Sequence, residues 1–352
     1  MPALFVLDDA FWSPRLETVR NVTLPHVMEQ CEQTGRLRNF DRAAGRLADD
    51  FEGRVYDDSD VYKTLEGVAR FLARHPDAAL DRRVQDWVER IAAAQRADGY
   101  LHTWTQCHAE AEPFEDVRSR HELYGAGHLL EAGLALHAAT GNDRLLEIAR
   151  RLVQQVGEHF GPGRRTEPPG HPELELALLR LHAETGDEEA VALARFFLEG
   201  RGVLEGRETY GEYAQDHAPL REQREAAGHA VRALYLWSAV ADLVAATGDR
   251  SWRPALDAVW KDVVETRRYV TGGVGSSSEN EGFTAPYHLP DEDAYAETCA
   301  AIGLVRLARR MSRLDGDARS IDVLERSLFN GVLAGLSLSG DRFFYANPLA
   351  SA

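Results

Sequence analysis

The chain has 352 residues, 44% of them hydrophobic, and a net charge of −17 from 57 acidic and 40 basic side chains. A surface of that sign is repelled by nucleic acid and by anionic membranes, so a neutral or small polar ligand suits it better. No apolar run approaches the roughly 20 residues of a membrane span. The first residues carry no basic signal region, and Cys31, Cys107 and Cys299 are too scattered for a disulfide framework, so a reducing cytoplasm is the expected compartment.

Apolar residues recur with helical spacing along most of the sequence. Helices are expected over about 14–32, 60–74, 79–95, 120–139, 143–159, 171–184, 187–200, 222–246, 251–268, 295–312 and 317–335. Only Tyr269–Thr271 and Phe343–Tyr345 favour strand. No low-complexity linker divides the chain, and the Gly/Pro-rich stretch 160–170 reads as a long loop.

The helices come in pairs joined by a recurring turn. Thr140-Gly141-Asn142, Thr185-Gly186-Asp187 and Thr247-Gly248-Asp249 each close one apolar helix with Gly and open the next with Asn or Asp. Leu314-Asp315-Gly316-Asp317 is a weaker fourth copy. The turns are too unevenly spaced for a solenoid. Helical hairpins with fixed turns on one side and variable loops on the other predict an all-α (α/α)6 toroid. Its twelve helices are one more than the eleven counted. The expected gap beside 60–74 and 295–312 should expose apolar side chains, which would favour a homodimer, unless helix 14–32 closes the ring.

Polar residues collect where several helices begin. Asp58 and Asp60 open one; His121, Tyr124 and His128 another; His171 and Glu173 a third; His229 a fourth; Glu297 and Cys299 the last. His121, Tyr124, His128 and Glu131 also share a helical face. Any one of these histidines reads as a hydrogen-bonded structural residue, but the repetition at one barrel end points to a shared pocket. Thr271–Ser278 is glycine-rich yet lacks the Lys and strand–helix setting of a phosphate loop. It reads instead as a flexible loop carrying Glu281 over the pocket, where that carboxyl could be a general acid. Glu297 and Cys299, two apart, can converge only if the helix starts at about that point.

Taken in order, Asp58-Ser-Asp-Val-Tyr-Lys63, His121-Glu-Leu-Tyr124, Gly127-His128-Leu, Gly170-His-Pro-Glu-Leu-Glu175, Gln215-Asp-His-Ala-Pro219, Gly228-His-Ala-Val-Arg-Ala233, Thr271-Gly-Gly273, Ala294-Tyr-Ala-Glu-Thr-Cys-Ala300 and Phe343-Phe-Tyr-Ala-Asn-Pro-Leu349 resemble the β-L-arabinofuranosidase family, glycoside hydrolase family 127. The resemblance spans nearly the whole chain. It implies an (α/α)6 barrel, normally followed by β-sandwich domains, and a retaining hydrolase of β-L-arabinofuranosides. It implies zinc held by one Glu and three Cys, one of these being the nucleophile. Glu297 and Cys299 match two of the zinc ligands, Glu281 the general acid/base, and His121, His171, His229 and Tyr345 positions lining the sugar pocket.

That family places an adjacent Cys-Cys pair soon after Asn-Pro-Leu, whereas here Asn347-Pro348-Leu349 is followed by three residues. Residues 1–352 are therefore expected to form one barrel domain, incomplete at its C-terminus, with the nucleophile, two zinc ligands, the twelfth helix and the β-sandwich domains beyond Ala352. Two other readings stand beside this one: a non-catalytic sugar-binding relative, and another toroid enzyme of the unsaturated-uronide hydrolase or epimerase type using Asp58, Asp60, His121 or His229.

Overall fold

The computed structural model describes residues 7–350, and these form a layered helical ring with isolated β-bridges and no named strand. The helices are α1 (Trp12–Thr18), α2 (Leu24–Gln33), α3 (Arg38–Ala43), α4 (Asp58–Leu72), α5 (Ala78–Ala94), α6 (Thr103–Cys107) and α7 (Glu122–Thr140). They continue as α8 (Arg144–His159), α9 (Leu174–Thr185), α10 (Glu188–Gly200), α11 (Ala230–Thr247), α12 (Arg253–Thr266), α13 (Thr298–Asp315) and α14 (Ala318–Arg326).

Helices α4, α7, α9, α11 and α13 pack side by side in that order and form the inner layer. Helices α7 and α11 are mostly apolar, with a few buried polar residues such as His128, Glu131 and Arg232, and are buried along nearly their whole length, as inner helices must be. Among the described residues α11 is the one helix long and apolar enough to cross a bilayer, with mean hydropathy 1.3; 78% of it is buried inside the ring. Outer helices bury one stripe only, such as Leu145, Ile148, Ala149, Leu152 and Val156 on α8.

The recurring turns close the inner helices at one end. Gly141, Gly186, Gly248 and Gly316 all adopt left-handed φ, between +68° and +76°. The next residue then accepts from an amide two residues on, where helical winding resumes: Asn142 from Arg144 at 2.8 Å, Asp187 from Glu189 at 3.0 Å, Asp249 from Ser251 at 3.1 Å and Asp317 from Arg319 at 2.9 Å.

Several expectations need correction. Helix α11 starts at Ala230, not near 222, because Gly228 is left-handed (φ +65°) and His229 caps the helix. The helix expected through 335 does run to Gly335, but its winding changes on the way, from α to π at Ser327–Val332 and to 3-10 at Leu333–Gly335. The strand expected at 343–345 is a single bridge from Phe343 to Leu336, and Val270 and Thr271 sit in a turn beside the Arg268–Val274 bridge. Short helices α3 and α6 had no sequence signal of their own.

The inner layer is loosest between α13 and α4, which share no extensive packing. The N-terminal helix does not fill that place. It runs round the outside: at one end Glu32 accepts from Trp87 at 3.1 Å, and at the other Phe11 and Trp12 pack on Phe329. A cavity of about 720 Å³ remains between α2 and α4, with Phe343 on its border. The predicted apolar wall is mostly absent. Helix α4 turns Lys63, Gly67 and Arg70 outward, and Ile302 is the only large hydrophobic of α4 or α13 that is exposed. The apolar residues of α4, including Val61, Leu65 and Val68, are spent on the core instead.

Candidate active site

The N-terminal ends of the inner helices meet at the other rim. His121 precedes α7 with a left-handed φ of +59°, His171 lies three residues before α9, and His229 caps α11. Their rings form a row, with centroids 6.0 Å apart from His121 to His171 and 5.8 Å from His171 to His229. Tyr124 packs under His171 at 4.4 Å. The helical stripe divides here: Tyr124 serves the rim, while His128 and Glu131 lie in the interior, Glu131 accepting from Arg306 at 3.1 Å.

Hydrogen-bond partners determine what each histidine offers. The Nδ1 atoms of His121 and His171 lie 2.6 Å and 3.0 Å from the carbonyls of Ser119 and Pro172. A carbonyl only accepts, so Nδ1 carries the proton and Nε2 is left as an acceptor. His229 is reversed. Its Nδ1 accepts from the amides of Val231 (3.1 Å) and Arg232 (3.3 Å), so Nε2 carries the proton and donates. Burial disfavours the charged form of all three. It lowers His121 and His229 to about 4 and holds His171 well below its ordinary value, so the row is neutral at pH 7.

Glu281 sits on the glycine-rich loop, over this row and not in a helix. Its φ is +50°, strained for a residue with a side chain. The loop is pinned to the start of α11: Ala230 donates to the Glu281 carbonyl at 3.1 Å and Phe283 to that of Gly228 at 2.9 Å. A Cβ on Gly282 would strike the Gly228 carbonyl, so this approach requires glycine. The Glu281 carboxyl accepts from the Tyr213 hydroxyl at 2.8 Å and the Tyr295 hydroxyl at 3.3 Å, and His229 Nε2 lies 3.4 Å away.

Glu297 and Cys299 do converge. Glu297 is fully buried at the cap of α13 with extended ψ of 142°, and the preceding Ala296 has φ +36°. The helix therefore begins only at Thr298, and the Cys299 thiol donates to Glu297 Oε2 at 3.2 Å. Burial, then the Glu297 charge, pushes the Cys299 thiol up to about 12. Burial likewise raises the Glu297 carboxyl. Its Oε1 has no hydrogen-bond partner. Tyr345 is 60% exposed and stands at the outer edge, where burial and the Glu297 carboxyl beside it raise its phenol.

Ligand atoms of His229, Glu281 and Glu297 lie within 4.8 Å of one another, close enough for a metal ion. The capping bonds argue against His229 as a ligand, because its Nε2 holds a proton and not a lone pair. Glu297 and Cys299 fit better. Their 3.2 Å separation is near the roughly 3.5 Å edge of a tetrahedral oxygen–sulfur site, and Glu297 Oε1 is unsatisfied. A thiol–carboxylate pair suits a divalent transition-metal ion.

The site also uses residues not singled out from the sequence. Tyr295 lay inside the Ala294–Ala300 motif, but Tyr213 had only the neighbouring Gln215-Asp-His motif to mark it. Arg232, buried, donates to the Gly170 carbonyl at 2.7 Å and stacks over Tyr213.

A family model described as "Beta-L-arabinofuranosidase, GH127 catalytic domain" matches residues 6–352. The "Non-reducing end beta-L-arabinofuranosidase" of Bifidobacterium longum subsp. longum is 38% identical over 337 residues, covering 89% of this chain and 51% of that protein. The crystal structure of a GH127 β-L-arabinofuranosidase from Geobacillus stearothermophilus T6 superposes with a TM-score of 0.95 at 40% identity, covering 99% of this chain and 59% of that one. A second GH127 β-arabinofuranosidase structure gives 0.93 at 42% identity, with 98% and 56% covered. The chain thus spans between half and three-fifths of the length of these relatives.

Proposed function

Because the chain belongs to the GH127 β-L-arabinofuranosidase catalytic-domain family, we propose that it hydrolyses terminal β-L-arabinofuranosides and that Glu281 is the acid/base. The observation that carries the assignment is the placing of Glu281. Two phenols and an imidazole N–H converge on a carboxyl that a strained loop holds over three neutral histidines. A glycosidase acid/base protonates the departing oxygen and then takes a proton from water, and a carboxyl at the edge of a pocket can reach both. His121 and His171 offer acceptors to sugar hydroxyls and His229 a donor, so the row reads the hydroxyl pattern of an uncharged pentose without an ion pair.

Glu297 and Cys299 would hold a zinc ion. Bound zinc keeps thiolate ligands deprotonated and cancels the mutual repulsion of the pair. In this reading the hydrogen bond of Cys299 to Glu297 assigns that thiol to the metal pair.

The test compares two leaving groups. On an alkyl β-L-arabinofuranoside, which needs protonation to depart, Glu281→Gln should lower kcat by about 10²–10⁴-fold. On p-nitrophenyl β-L-arabinofuranoside, whose phenolate leaves unaided, the loss should be much smaller. Equal losses on both would remove Glu281 from the acid role, and no release of arabinose from either by the encoded protein, with the Cys-Cys pair expected after Asn347-Pro348-Leu349 included, would remove the activity.

A further inference from the structure

Glu297 and Cys299 can face the same way only because the chain is held out of the helix at Ala296 and Glu297. Left to itself it would wind on: α13 is a regular helix from Thr298, and Ala296 is an alanine, the best helix former, held at φ +36°. Something must oppose winding at this turn. On one side the Ala296 amide donates to the Gly275 carbonyl at 2.7 Å. On the other lies the segment after the Leu336–Phe343 bridge, and its central contact is Asn347.

The Asn347 side-chain nitrogen reaches the Ala296 carbonyl at 3.0 Å, the Thr298 hydroxyl oxygen at 3.0 Å and the Tyr345 carbonyl at 3.3 Å. Two of these groups are carbonyls, and Thr298 Oγ1 already donates its proton to the Phe344 carbonyl at 2.7 Å. All three are therefore acceptors, which fixes the Asn347 nitrogen, and not its oxygen, against the turn. Main-chain bonds complete the clamp: Asn347 donates to the Tyr295 carbonyl at 3.1 Å, and Thr298 donates to that of Tyr345 at 2.9 Å. The amide thus spans the two residues that flank Glu297 in sequence.

We propose that Asn347 is a positioning residue that holds Ala296–Thr298 unwound, so that the Glu297 carboxyl and the Cys299 thiol point to one place. The inference rests on the reading of that pair as metal donors. It makes an amide at 347 as necessary to the pair as the pair is to the ion. Aspartate there would keep the shape and reverse the polarity, setting a carboxylate oxygen against two carbonyls. Serine would remove the reach without adding charge.

The experiment measures zinc affinity by competition with a chromophoric chelator, and the near-ultraviolet thiolate-to-metal absorption of the cobalt form, on the encoded protein. Wild type, Cys299→Ser, Asn347→Asp and Asn347→Ser are compared, with melting followed by circular dichroism. Cys299→Ser should weaken zinc binding and reduce the cobalt–thiolate band, since it removes one thiolate of the set. Both Asn347 variants should bind zinc about 10–100-fold more weakly and lose most of the band, while melting within a few degrees of wild type. Asn347 variants with wild-type affinity and absorption would overturn the proposal. So would loss of the helical signal in both, which would make Asn347 a prop of the fold and not of the pair. A Cys299→Ser protein that binds zinc as well as wild type would instead sink the donor assignment.

Discussion

Burial alone does not explain the rim; the direction of each hydrogen bond does. His229 is buried and His121 partly so, and both are held near a pKa of 4, yet one offers a lone pair and the other a proton. Tyr213 illustrates how much rests on such details. Its hydroxyl gives the shorter of the two phenol bonds to Glu281, 2.8 Å, while its ring is wedged between His229 and Arg232. Tyr213→Phe keeps the wedge and removes the bond. Steady-state kinetics should show kcat lower by about tenfold with KM little changed, the cost of one hydrogen bond to a charged partner. An unchanged kcat would mean that the other donors suffice. Neither phenol could be picked out beforehand, since an aromatic residue in a loop looks the same whether it packs or donates.

The links between helices are also polar, and they titrate. Asp58, buried, begins α4 and accepts the Thr103 amide at 2.8 Å, tying α4 to α6. Burial outweighs these bonds and pushes its carboxyl up to about 6. A carboxyl raised on folding binds more protons in the native state. Its contribution is thus complete below pH about 4 and lost as pH rises through about 6, roughly 3 kcal/mol for a shift of two units. The buried His102, His128 and His171 run the other way: burial lowers them, so their contribution is present above pH about 6.5 and lost on acidification. Asp58→Asn keeps the shape and removes only the first effect. Relative to wild type it should melt higher at pH 7.5 than at pH 4.5, as read by differential scanning calorimetry. A constant difference across that range would contradict the assignment. None of this could be read from the sequence, because α6 is five residues long and Asp58 resembles any acid at a helix start.

The layout of the ring was far more legible. Thr-Gly-Asn/Asp turns fix both a left-handed stop and a cap within three residues, so the hairpins followed directly from local chemistry. The meeting of His121, His171, His229 and Glu297 then followed from their place at helix starts. What failed were inferences needing knowledge of neighbours. The open side of α4 was expected to be apolar, but Lys63, Gly67 and Arg70 occupy it. The start of α11 was set eight residues early because Glu222–Ala227 are all good helix formers, and only the left-handed Gly228 stops them.

The same division has a practical reading for protein engineering. Helix α11 alone has 18 residues, so about 27 Å of rigid rod separates its capping histidine from Gly248. The four Gly-Asn or Gly-Asp turns sit at that remote end, closed by their own local bonds. New chain termini, an epitope or a fluorescent reporter placed in one of them would meet solvent on one side and self-contained caps on the other. The histidine rim would register none of it, which makes the back of the ring the place to build on.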